Sequence, residues 1–200
     1  MKSRRHPFRN IFYKIFQKKY IVTDIPIGHH DKTLYRIRAL RDIPLHNVQA
    51  GDFGGYVEGY RNLSQLGDCW VGENGKVYDY ARVSSDAIVR YRAEVYGYAK
   101  ISGSAVVYGF SDIHDHALVC GQTEVYYKAV VKDYAYIGGK SHVHGHAILS
   151  GECKIISSTI RDFSIIRGNT MIIDSDISGD SYIDSDAVIE EATITSEAFT

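Results

Sequence analysis

Cysteine is scarce in this chain of 200 residues: there are three, Cys69, Cys120 and Cys153. An odd number without tight spacing argues against a disulfide framework or a zinc ribbon and for a reducing compartment. Proline is as rare, at 3 residues against 18 Gly and 44% hydrophobic residues, the profile of a globular rather than a disordered chain. No apolar run reaches the roughly 18 residues of a membrane-spanning helix, and no continuous apolar core follows the basic start as a Sec signal requires. These absences predict a cytoplasmic protein, or one exported by a non-Sec route. No P-loop, nucleophile elbow or paired-carboxylate cleft can be found. Acid is missing from residues 1–20, where Lys2, Arg4, Arg5, Arg9, Lys14, Lys18 and Lys19 give a charge of +7. Residues 160–200 carry nine acids against Arg161 and Arg167, a charge of −7, so the net charge of −1 hides a dipole along the sequence.

What the chain does have is a repeat. From Val71 to Ile155 an aliphatic residue recurs every six positions, fifteen times without an insertion, as in Val77, Val83, Val89, Val95 and Ile101. Two residues before each stands a small side chain such as Ala81, Ala87 or Ala93, and two residues after it Gly or Asp dominates. After Ile155 the series slips by one residue to Ile160, Ile166 and Ile172, and again to Ile177, Ile183 and Ile189. Residues two apart on a strand share a face, so the small and the aliphatic residues point inward together. Gly or Asp then supplies a corner. A six-residue unit cannot bury its apolar face alone, and stacked coils can. The reading is an all-β, single-stranded parallel β-helix.

The spacing of an aliphatic residue and a small one four positions on, as in Val77 and Ala81, resembles the hexapeptide-repeat, left-handed parallel β-helix with coils of 18 residues. The left hand is implied by that resemblance, since general crossover rules give the opposite. The 22 aliphatic positions predict about seven coils, roughly 34 Å at the ~4.8 Å strand spacing. The segment before the repeat narrows the likeness. Arg36-Ile37-Arg38-Ala39-Leu40-Arg41-Asp42, Ala50-Gly51-Asp52 with Gly54-Gly55, Asn62-Leu63-Ser64 and Gly67-Asp68-Cys69-Trp70-Val71 resemble the YdcK-like family of bacterial β-helix proteins. The match covers about residues 33 to 155 and implies mostly fold. Members are often labelled transferases because the hexad resembles acyltransferase repeats.

Three segments are expected: a basic amphipathic helix over 1–20, an N-terminal capping segment over 21–66 and the β-helix over 67–200. Phe8, Ile11, Phe12, Ile15 and Phe16 stand at helical spacing behind Pro7. Such a helix suits three roles: packing over the β-helix, lying on an anionic membrane surface, or targeting. The capping segment reads as short strands, Tyr20–Thr23 and Thr33–Leu40, with turns that close the first coil. At the other end Asp174, Asp176, Asp180, Asp184, Asp186, Glu190 and Glu191 suit protection of an exposed edge. They equally suit head-to-tail contact with a basic N-terminus, or a hard cation.

Candidate site residues follow from counting. Val143 points inward, so His142 and His144 flank it outside, about 6.5–7 Å apart. One coil earlier, Glu124 stands beside His142 and Tyr126 beside His144. His142, His144 and Glu124 form a metal half-site for zinc that lacks a fourth ligand, although outward histidines on a polar face are commonly just surface. No cofactor is otherwise expected. Tyr78, Tyr96 and His114 fall 18 apart on one face, and Tyr80, Tyr98, His116 and Tyr134 on the adjoining corner. Ring stacking between coils explains both rows structurally, and an aromatic contact stripe is the functional alternative.

The expected function is a non-enzymatic scaffold or binding module. Its contacts would come from Tyr78, Tyr96, Tyr98, His114 and His116, with Arg4, Arg5, Arg9, Lys14, Lys18 and Lys19 of the head. A protein partner or self-association is expected, with peripheral membrane contact through residues 1–20 as a further option. Nucleic acid is disfavoured, because the bases cluster in one short segment and the rod is acidic. The alternative is a trimeric acyltransferase-like enzyme using acyl-CoA and a histidine base. Against it, residues 71–155 contain no inserted loop to reach across a subunit groove.

Overall fold

The computed structural model describes residues 18–196. The helix expected over residues 1–20 falls almost wholly outside the described residues, as do Arg4, Arg5, Arg9 and Lys14. Within them the fold is all-β, a solenoid of parallel stacked strands with about eight turns. The one helical element there is a single 3-10 turn, Pro44–His46. No helix of the described residues is long and apolar enough to cross a membrane.

Each turn contributes a short strand to each of three sheets, which form the faces of the stack. In chain order, the first face carries Val77, Val95, Ile113 and Val131 inward. The second carries Val83, Ile101, Val119 and Ile137. The third carries Val71, Val89, Val107 and Val125. Register offsets of 18 residues, as in Val107↔Val125, shorten to 17 at Val143↔Ile160 and stay so to the end. The slips in the sequence period are therefore coils shortened by one residue, and the stack continues through them. Inward aliphatics and the small residues beside them are fully buried along most of the rod, among them Ala93, Val95, Ala117, Val119, Ala135 and Ile137.

The stack begins before residue 67. The first strand, β1 (Tyr20–His29), forms an antiparallel hairpin with β2 (Lys32–Ala39), and β2 pairs antiparallel with β3 (Phe53–Val57). β3 already pairs in parallel with the first repeat rung, Val57↔Val77, an offset of 20. Leu63 likewise bridges to Val83, whereas Val71 pairs with Val89 at 18. Two extra residues between Leu63 and Val71 thus break the period and hide one coil, which is why about seven were expected. Gly54 allows this junction: a side-chain carbon there would stand 2.4 Å from the Val71 carbonyl oxygen.

Corners explain the Gly/Asp preference. Gly103, Gly121 and Gly139 stack at one corner with φ of +67°, +76° and +70°, the left-handed region that favours glycine. Asp115 and Asp133 adopt the same conformation at another corner, which Asp tolerates better than most residues. Asp133 also accepts a hydrogen bond from the Gly151 N–H of the following coil at 2.9 Å.

A side chain at Gly121 would meet the Gly139 carbonyl oxygen at 2.6 Å, whereas one at Gly28 would meet nothing. Gly121→Ala is expected to cost roughly 1–3 kcal/mol in urea unfolding, and Gly28→Ala to stay within about 0.5 kcal/mol. Equal effects would contradict the corner packing.

Candidate functional site

The outward residues form ladders, because coil-to-coil register places side chains directly above one another. On the first face Tyr78 stacks on Tyr96 with centroids 5.0 Å apart, and Tyr96 on His114 at 4.9 Å. This ladder is largely enclosed. The tip of the β1–β2 hairpin folds over it, with His29 edge-on to Tyr78 at 5.3 Å and Lys32 Nζ 2.7 Å from Asp79. Tyr78 is only 4% exposed, which corrects its expected contact role: the cap already occupies that surface. Burial, reinforced by Glu94 beside Tyr78 and by Asp112 beside Tyr96, pushes both phenols well above their ordinary range. Burial works to raise the Glu94 carboxyl, but hydrogen bonds from Lys76 and His29 outweigh it and hold the group below the usual range.

The corner ladder is open. Tyr80, Tyr98, His116 and Tyr134 stack at 4.7–4.9 Å with interplanar angles of 6–13°. Arg61 covers its first ring, 4.9 Å from the Tyr80 centroid. Tyr80, Tyr98 and Tyr134 are 61%, 51% and 62% exposed. A third ladder, on the third face, runs from Arg90 through Tyr108 and Tyr126 to His144. The same 18-residue spacing signals it in the sequence, at Arg90, Tyr108, Tyr126 and His144.

The same stacking between coils takes in His144 of the expected metal half-site and its neighbour His146. His144 lies flat against Tyr126 at 4.7 Å and His146 against Phe163 at 4.8 Å. His142 Nδ1 stands 4.0 Å from Glu124 Oε2. The structure therefore pairs His142 with Glu124 and takes the other two rings into stacks. In the head, Lys18 is exposed, its Nζ 5.3 Å from the Tyr60 centroid. Lys19, expected at a contact surface, is fully buried. Its Nζ donates to the carbonyl oxygens of Cys69 at 2.7 Å and Gly67 at 3.3 Å, closing the open end of the first coil. Burial pulls its ammonium below the ordinary lysine range.

A groove lies where the loop of residues 40–52 crosses the third face. Its cavity of about 280 Å³ is lined by Leu45, His46, Asp86, Ile88, Arg90 and Val106. So a loop does reach over a face, and it comes from the capping segment rather than from the uninterrupted repeat. His46 Nε2–H donates to the Asp86 carbonyl at 3.0 Å. Burial lowers its pKa, which leaves Nδ1 as the lone-pair nitrogen of a neutral ring. The Arg90 guanidinium sits over Tyr91 and Tyr108 at 5.3 and 5.6 Å. Its Nε–H is shielded from water and meets no acceptor among the described residues.

No protein-family model matches the chain, and no curated protein matches it. The geometry above therefore carries the functional reading alone.

Burial also lowers the pKa of His144 from its ordinary 6.5. The folded ring binds a proton less readily than the unfolded one, so its contribution is complete above that pH and is lost as pH falls through it. His144→Phe keeps a ring on Tyr126 and removes the proton. Its melting temperature should drop less than the wild type's between neutral and mildly acid pH. An identical acid-side loss would show that His144 does not titrate against folding.

Proposed function

We propose that this protein is a non-catalytic binding scaffold whose contact surface is the open corner ladder Tyr80–Tyr98–His116–Tyr134. Four stacked rings, three of them more than half exposed, are the observation that carries the reading. Because each ring face is covered by the next, ring edges and hydroxyls point outward at the repeat of the coils. Rings already held by their neighbours lose little further side-chain entropy on binding, and tyrosine is favoured at protein interfaces. The class of partner is therefore another protein or a second copy of this chain. The period of six, with its small residue two before each aliphatic, supports a left-handed hexapeptide-repeat solenoid, and the resemblance of Arg36–Asp42 and Gly67–Val71 to YdcK-like entry segments supports that kinship.

A photo-crosslinking residue placed at Tyr98 or Tyr134 is expected to give a discrete adduct in cells, and one at Lys154, exposed on the second face, is not. Absence of adducts at both stripe positions, or the same adducts at Lys154, would count against the stripe.

The groove at His46 favours a second reading, the trimeric acyltransferase-like enzyme with His46 as base. It predicts a discrete trimer by light scattering and thermal stabilisation by coenzyme A that His46→Ala abolishes. A monomer indifferent to coenzyme A removes it.

A further inference from the structure

We propose that His29, His30 and Glu94 form a transition-metal site of the zinc class that clamps the hairpin tip onto the first face. One ligand atom from each residue lies within 4.8 Å of the other two. His29 Nε2 is 2.9 Å from Glu94 Oε2, and the two imidazole centroids are 4.3 Å apart at 59°. Zinc bonds nitrogen and oxygen at about 2.0–2.2 Å, which puts tetrahedral ligands about 3.3 Å from one another. The His29–Glu94 pair is near that separation already. His30 is exposed and closes the remaining gap by rotation about its own side-chain bonds.

The backbone brings the two histidines together. Consecutive residues in an extended strand project to opposite faces, and these two would be parted. His30 instead takes φ +53°, a left-handed conformation that is disfavoured for a non-glycine residue. Asn or Gly would make the same turn more cheaply.

The surroundings orient the carboxylate as a ligand needs. Lys76 Nζ donates to Glu94 Oε1 at 2.7 Å, leaving Oε2 to face His29, and the Tyr78 hydroxyl donates to Oε2 at 3.3 Å. Carboxylates that ligate a metal are usually held in place by hydrogen bonds of this kind. Two imidazoles and one carboxylate select zinc or a neighbouring first-row ion over calcium or magnesium, which prefer all-oxygen cages. Three protein ligands leave a fourth position for water. The clamp would join residues 65 apart in sequence, one in the cap and one in the second coil of the repeat.

The test is calorimetric titration of chelator-stripped full-length protein with zinc chloride, paired with the visible absorption of the cobalt(II) form. Wild type is expected to bind one equivalent and to give a tetrahedral cobalt spectrum. His30→Ala leaves the His29–Glu94 hydrogen bond in place, so the fold is kept, and is expected to weaken zinc at least about tenfold. Glu94→Gln is expected to do the same, and His142→Ala with His144→Ala to change nothing. Failure of wild type to bind, or binding that survives His30→Ala and Glu94→Gln, would overturn the site. Binding lost only in the His142/His144 double variant would move it to the third face.

Discussion

Everything in this molecule depends on one repeated contact, the inward aliphatic of each hexad seated on its counterpart one coil away. Val95 on Ile113, Ile101 on Val119 and Val107 on Val125 are examples, all fully buried. Full burial of such a side chain contributes about 1.5–3 kcal/mol, and no single coil can achieve it alone. The contact also fixes register. Once Val107 sits under Val125, Tyr108 must sit under Tyr126, and the outer ladders follow without any separate instruction. Constant coil length is therefore both the stabilising and the patterning constraint.

The two ends meet the problem of unpaired edges differently. At the start, Lys19 donates to the free carbonyls of the first coil, and the hairpin extends the first sheet through β3 while its tip folds over Tyr78. At the finish, Ile183, Ile189 and Ile194 are only partly buried against the core. Asp184, Asp186, Glu190 and Glu191 around them are exposed, and charge on an open edge discourages strand addition. Arg161 spans coils to reach Asp176 at 3.3 Å, so part of the acidic charge is compensated within the stack.

Most of the rod could be read in advance because a period needs only counting. The inward columns, the Gly/Asp corners and both named ladders all follow from intervals of six and eighteen. What escaped has a common cause: it lies where the irregular cap touches the regular stack. Two extra residues between Leu63 and Val71 were enough to conceal a coil. Nothing local to Lys19 announces that it is buried, since its partners are some fifty residues away. Nor does the sequence around Tyr78 show that His29 covers it, or that the loop carrying His46 settles on Ile88 and Arg90. The histidines of 142–146 were legible in part, since counting sets Glu124 beside His142 and Tyr126 beside His144, and the structure adds the ring stacks. Alternation along a strand resembles a ligand set, while the ring stack that absorbs two of them runs between coils.

Native-state hydrogen exchange followed amide by amide tests the stacking account most directly. If each coil is held chiefly by its neighbours, protection should be greatest at Val107, Val119, Val125 and Ile137 and fall coil by coil toward residues 182–196. Uniform protection along the rod, or a central coil that exchanges faster than the last one, would contradict it.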